Sequence, residues 1–180
     1  MVKAVYDDLF LSTLSEIEKA LDTKMYIAAL YIAVTIPDVC GQAEYQKGSE
    51  KTKYMKWYEE YVEPSYVLSS PYGDDMPYMN SEVMYYFRNN LLHNGTPNII
   101  KEKIHNLRFS IDHFNLVVGN LHRGQFSHIS YDKDYGIKDR SLTINIHSLC
   151  TTLVTAAKGY YETHKNKFSF SYSFQEEVIP

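Results

Sequence analysis

Cysteine is almost missing from this chain: among 180 residues there are only Cys40 and Cys150. Both sit in apolar stretches with helical spacing, so the expectation is two buried free thiols and no disulfide framework. The histidines at 105, 113, 122, 128, 147 and 164 are scattered, with no pair at metal-ligand spacing and no CxxC beside them. No metal site is expected. A glycine-rich phosphate loop and a serine elbow are also absent, which disfavours nucleotide-dependent transfer and acyl hydrolysis, and no cofactor is expected. The longest apolar stretch, Ile27 to Ile36, is too short to span a bilayer. The first residues carry Asp7 and Asp8 where a secretory leader needs a basic region and an apolar run. These absences lead to the expectation of a cytoplasmic protein with no membrane partner. The formal net charge of -4 leaves no overall basic field, so any RNA contact must come from a local patch.

What is present describes a globular chain. Apolar residues make up 44% and charged residues 22%, enough for one domain, 1–180, with its own core. Seventeen tyrosines stand out. A tyrosine has an apolar body and a polar tip, which suits half-buried helix faces and self-association.

The periodicity predicts a helix over Val2–Leu21, with Val5, Leu9, Leu14, Ile17 and Leu21 on one side, followed by a capping Asp22-Thr23. Lys24–Glu44 is apolar on most sides and reads as a central helix kinked at Pro37. A third helix over Glu50–Val62 has Ser49 as cap and Tyr54, Trp57, Tyr58 and Tyr61 on its apolar side. Pro64 to Pro77 is a loop. Asn80 and Ser81 cap a fourth helix running to about His93, stopped by Asn94-Gly95 and Pro97. The period then changes. Leu107, Phe109 and Ile111, then Phe126–Tyr131, then Leu142–Ile146, alternate as strands do. His147–Thr163 returns to helical spacing, and Phe168–Phe174 alternates aromatic residues with serine, as an edge strand or a docking tail would. The expected fold class is therefore mainly α. About five helices form a core (about 2–95 and 147–164), with a small antiparallel β insertion (about 105–146) between the fourth and last.

The stretch Glu82-Val-Met-Tyr-Tyr-Phe-Arg-Asn-Asn-Leu-Leu-His93 holds the candidate chemistry. Val83, Met84, Phe87, Leu91 and Leu92 bury one face and leave Arg88, Asn89 and His93 as a polar set. Asn89 and His93 share a stripe, and Arg88 flanks it. A two-fold axis relating two such helices would gather two Arg and two His in one cleft. An imidazole titrates at ~6.5, near working pH, and moves protons to and from ribose and leaving oxygens. A guanidinium keeps its charge and matches phosphate oxygens. Asn89 can orient the imidazole or the phosphate by hydrogen bonding. Lys51, Lys53 and Lys56 are candidates for guiding RNA phosphates, and Tyr85 for stacking on a base. Each has a plainer reading: a surface ion pair and a helix-end histidine, a solvated lysine face, an aromatic packed in a core or dimer seam. Asp38, beside Pro37, needs a partner, either Arg88 or an amide freed by the kink.

Arg-Asn-Asn-Leu-Leu-His resembles the signature of HEPN domains, in which an arginine is followed by four to six residues and a histidine. The order of helices before it, with Ala-Leu-Tyr-Ile-Ala-Val-Thr-Ile-Pro-Asp-Val-Cys-Gly in the buried one, is similar to bacterial HEPN-like proteins over about Val2 to Gly95. The strands between Leu107 and Ile146 are not part of that pattern. The resemblance implies a helical domain that forms a homodimer through the motif helices. It further implies a metal-independent endoribonuclease with Arg88 and His93 catalytic and Asn89 auxiliary, serving as a toxin or defence component with an antitoxin or defence-system partner protein. The alternatives are an inactive HEPN-like module binding RNA, a nucleotide or a protein, and a structural subunit assembled through the strands and tail.

Overall fold

In the computed structural model, residues 3–4, 9–66, 77–96, 111–119, 124–168 and 175–176 are described. The first helix, α1 (Leu9–Asp22), buries Phe10, Leu14, Ile17 and Leu21, the stripe that its periodicity marks. It begins later than the expected Val2. Lys3–Ala4 form a short strand, β1, paired antiparallel with β5 (Gln175–Glu176) near the chain's end. A partner so remote in sequence outweighs local helical spacing, which a sequence window cannot register. Thr23 caps nothing ahead of it. Its hydroxyl donates back to the Lys19 carbonyl at 2.8 Å and closes α1 instead.

The expected kinked helix is two, α2 (Tyr26–Ala33) and α3 (Ile36–Glu44), which makes six α-helices among the described residues. Pro37 sits in the first turn of α3, where its missing N–H costs least, and the break falls just ahead of it at Val34–Thr35. The phenol of Tyr54 donates to the Val34 carbonyl at this break (3.1 Å). Tyr26–Glu44 as a whole is long and apolar enough to cross a bilayer by length and composition, longer than the Ile27–Ile36 run suggests. Its residues Ala29, Leu30, Ala33, Val34, Ile36 and Cys40 are buried in the bundle core, which accounts for their apolarity. Cys40 and Cys150 are free and buried; burial pushes the Cys150 thiol up to about 12. A Cβ on Gly41 would lie 2.6 Å from the Lys53 carbonyl oxygen, so the backbones of α3 and α4 meet here.

Ser49 caps α4 (Glu50–Tyr61), accepting from the Thr52 amide, and Tyr54, Trp57 and Tyr58 are fully buried. Asn80 caps α5 (Ser81–Asn94), accepting from the Val83 amide at 2.8 Å. Gly95 ends it in the left-handed region (φ 64°), where a glycine carries no Cβ penalty.

The β insertion differs from the expectation in two ways. β2 (His113–Val117) starts later than supposed, and Leu107 and Phe109 lie outside the described residues. The sheet is mixed, with order β2-β4-β3: β4 (Ile137–Asn145) runs antiparallel to β3 (Gln125–Tyr131) but parallel to β2. The β3–β4 turn is a tight one, Asp132 Oδ1 accepting from the Asp134 and Gly136 amides, as adjacent antiparallel strands permit. β2 reaches β4 only by crossing to its far edge, and alternation of side chains carries no information about such a crossing. Leu142 and Ile144 of β4 are buried, and Phe114 of β2 packs against Phe87 of α5 with ring centroids 5.2 Å apart. Buried Gln125 fastens sheet to bundle, donating to the Tyr66 carbonyl (2.7 Å) and accepting from the Met79 amide (3.0 Å).

Asn145 accepts from the Ser148 amide and starts α6 (Ile146–His164), whose buried side includes Leu149, Leu153, Ala157 and Tyr160. Phe168 packs on Phe10 (4.7 Å) and Tyr161 (5.0 Å); the remainder of the expected tail strand, to Phe174, lies outside the described residues. The carboxylate of Glu44 ties α3 to this end, accepting from the Tyr160 hydroxyl at 2.7 Å and from the Lys167 ammonium. The Lys167 hydrogen bond first, and then that of Tyr160, hold its carboxyl below the ordinary 4.5. A carboxyl depressed by folding adds stability above its unfolded value, and that stability is lost as pH falls through the folded one. Melting temperature therefore falls more steeply for the wild type than for Glu44→Gln as pH drops from about 5 to about 3. Parallel profiles would show that this contact adds nothing.

Candidate functional site

Arg88 leaves the middle of α5 toward α3. Its Nε and Nη2 both donate to Asp38 Oδ2, at 3.0 and 2.8 Å, and its Nη1 donates to Asn89 Oδ1 at 2.7 Å. Asp38 thus takes Arg88 as its partner, the first of the two that its place beside Pro37 left open. The pair is half-buried, with side-chain exposures of 21% for Arg88 and 27% for Asp38. Burial pushes the Asp38 carboxyl above its ordinary value. The charge and hydrogen bonds of Arg88 oppose that push without cancelling it, and Glu50 nearby reinforces it. Beneath the pair lies the wholly buried Tyr54, whose hydroxyl is pushed well up by burial and then by the Asp38 charge. A guanidinium has five N–H groups in a rigid fork. Bonds among the described residues use three, leaving one on Nη1 and one on Nη2.

His93 stands in the last turn of α5, exposed and with no hydrogen-bond partner among the described residues. Five residues separate it from Arg88, roughly 140° round the helix, so within one chain the two diverge. Asn89 lies on the His93 stripe, but its side-chain oxygen is engaged by Arg88. The apolar face is as expected: Val83, Met84, Phe87 and Leu91 are buried and Leu92 half-buried.

The three lysines do not act as one group. Lys51 turns toward α5, donating to the Tyr86 hydroxyl at 3.0 Å, with its ammonium 4.6 Å from the Tyr86 ring centre and 5.4 Å from that of Tyr85. Lys53 turns the other way and donates to Gln42 of α3 at 2.8 Å. Lys56 rests over Tyr45, 5.7 Å from its ring centre. Tyr85 meets Tyr54 and Tyr86 edge-on, at 5.5 and 5.8 Å, and is half-buried, so it packs the α4–α5 seam as well as bordering the site. Lys51 and Tyr85 thus meet at the α4–α5 seam, and Arg88, Asn89 and Asp38 at the α3–α5 contact; the Lys53 bond to Gln42 belongs to neither group.

The helical stripe through Asn89 and His93 continues upstream through Tyr86 to Glu82, all within roughly 60° of arc. Glu82 lines a groove of about 360 Å³ with Lys51, Thr52, Met55, Lys56 and Glu59. The spacing 82, 86, 89, 93 carries this stripe in the sequence, and Glu82 is the member that it adds to the site. Among the described residues no group of three His, Cys, Asp or Glu side chains could hold a metal ion.

The arrangement supplies a cation partly neutralised by its own carboxylate, an open imidazole one turn beyond, and a polar stripe joining that imidazole to a groove. Such groups suit contact with a phosphodiester. No family model, curated protein or solved structure matches the chain.

Proposed function

We propose that this is a HEPN-like, metal-independent endoribonuclease, a homodimer whose α5 helices face each other and place Arg88 and His93 of both copies around one phosphate. The carrying observation is the state of His93: exposed, unpartnered among the described residues, and on the same helix as a guanidinium with two N–H groups still available. Because the two side chains diverge on one helix, the second copy is what completes the site. One His93 takes the proton from a ribose 2′-hydroxyl as its oxygen attacks phosphorus. His93 of the second copy gives a proton to the departing 5′-oxygen. The products are a 2′,3′-cyclic phosphate and a free 5′-hydroxyl. Arg88, steadied by Asp38 and Asn89, offers its remaining N–H groups to the phosphate oxygens as charge builds there. An antitoxin or defence-system partner belongs to the same proposal.

The Asp38–Arg88 ion pair also favours a second reading. A guanidinium already neutralised in a half-buried pair serves to tie α3 to α5, and the domain then binds RNA, a nucleotide or a protein without cutting. Mixed RNA incubated in EDTA with wild-type protein and with His93→Ala separates the two. The nuclease reading expects a cut by the first alone; cleavage by both, or by neither, removes it. Solution mass should show a dimer at micromolar concentration, and a strict monomer would remove the shared cleft.

A further inference from the structure

Glu82 is an unusual carboxylate. It is 9% exposed, and no hydrogen bond or ion pair reaches its side chain among the described residues. Its carboxylate stands in the first turn of α5 and opens on the groove rather than into the core, so it is left there to accept from whatever enters. Its neighbours across the groove do not answer it. The Lys51 ammonium gives one of its three N–H groups to Tyr86, and that of Lys56 lies over Tyr45, so neither is turned to Glu82. The gap between them is the 360 Å³ space, with Met55 as its apolar wall, and that volume falls within the range of small-ligand sites.

The lining limits the occupant. An ionised carboxylate only accepts hydrogen bonds, so at the Glu82 end the ligand must donate. A cationic donor would meet Lys51 and Lys56, and a bare phosphate would meet Glu59 and Glu82. A ligand with a neutral donor edge at one end, a flat apolar body and an anion at the other satisfies all of them, and a nucleotide has that construction. Among the bases, guanine alone presents two parallel donors, N1–H and N2–H, that match the two oxygens of one carboxylate. Cytosine and adenine each offer an amino group beside an acceptor, which the carboxylate would repel.

We propose that the α4–α5 groove is a base-reading subsite for guanine, with Glu82 accepting from N1–H and N2–H and with Lys51 and Lys56 taking the adjoining phosphate. Glu82, Tyr86, Asn89 and His93 share one stripe of α5, and the axis rises roughly 16 Å from the first to the last. An RNA strand lying along that stripe therefore places a guanine a few nucleotides from the phosphate at His93. This placement rests on the nuclease reading; the affinity for guanine does not.

The test is titration calorimetry of the full-length protein with guanosine, adenosine, cytidine and uridine 5′-monophosphates, repeated with Glu82→Gln and with His93→Ala. Guanosine monophosphate binds roughly tenfold or more tighter than the other three. Glu82→Gln, checked for folding by its melting curve, removes that preference because its amide opposes donors to donors. His93→Ala leaves it intact. Equal affinity for all four nucleotides in the wild type overturns the subsite, as does an undiminished preference in Glu82→Gln. If that variant fails to fold, the four-way comparison on the wild type decides alone. RNA cleavage with no guanine preference in binding rejects the subsite and spares the nuclease. A guanine preference with no cleavage does the reverse.

Discussion

Replacing Trp57 with alanine lowers folding stability by about 3–5 kcal/mol, a large part of what a domain of this size has to lose. Trp57 is completely buried at the centre of α4. Its ring stacks on Tyr61 at 5.4 Å and meets Tyr160 of α6 edge-on at 5.9 Å, so the side chain links two elements far apart in sequence. Truncation leaves a cavity bounded by rigid aromatic rings that cannot collapse into it. The indole N–H has no hydrogen-bond partner among the described residues. Losing that donor is therefore no loss, and Trp57→Phe should cost only about 1–2 kcal/mol. Urea unfolding of the three proteins checks this. A phenylalanine variant as unstable as the alanine one would mean that the N–H is bonded after all.

The second large effect concerns Arg88. On the nuclease reading, Arg88→Ala lowers the cleavage rate by roughly 10²–10³, as loss of an electrostatic stabiliser does, and His93→Ala by roughly 10²–10⁴. Arg88→Lys is the more telling variant. Lysine keeps the charge but has no fork, so it cannot hold Asp38 through two nitrogens and Asn89 through a third while still facing a phosphate. Its rate should fall within about tenfold of that of Arg88→Ala. A lysine variant close to wild type would mean that charge alone suffices and that the Asp38–Asn89 anchorage has no part in the chemistry. Melting curves accompany the rates, because the pair is half-buried and its rupture costs stability as well.

Local chemistry made much of the fold readable beforehand. Ser49, Asn80 and Gly95 mark helix ends by the side-chain bonds or backbone conformations they favour, and α4 and α5 begin and end where they should. What eluded the sequence depends on partners distant in the chain. β1 exists only because Gln175–Glu176 pairs with it, and the parallel β2–β4 pairing follows from a crossing that side-chain alternation does not encode. The division of α2 from α3 was foreseeable in kind from Pro37, but the break falls a few residues ahead of the proline. In the candidate site, spacing and residue type single out Arg88 and His93 as the candidates. That Asp38 would occupy the guanidinium could not be settled from the sequence, since the two residues stand far apart in it, on helices that come together only in the fold. Proximity in sequence groups Lys53 with Lys51, yet side chains two residues apart on a helix point to different neighbours, here Gln42 and Tyr86.

On the nuclease proposal, a ribose hydroxyl activated by His93 cuts its own strand. The most direct measurement is cleavage in EDTA of one oligonucleotide in two forms, all-ribose and 2′-O-methylated throughout, with the product ends identified by mass. Only the ribose strand is then cut, and its upstream fragments end in 2′,3′-cyclic phosphate. Cleavage of the methylated strand, or of neither, would contradict it.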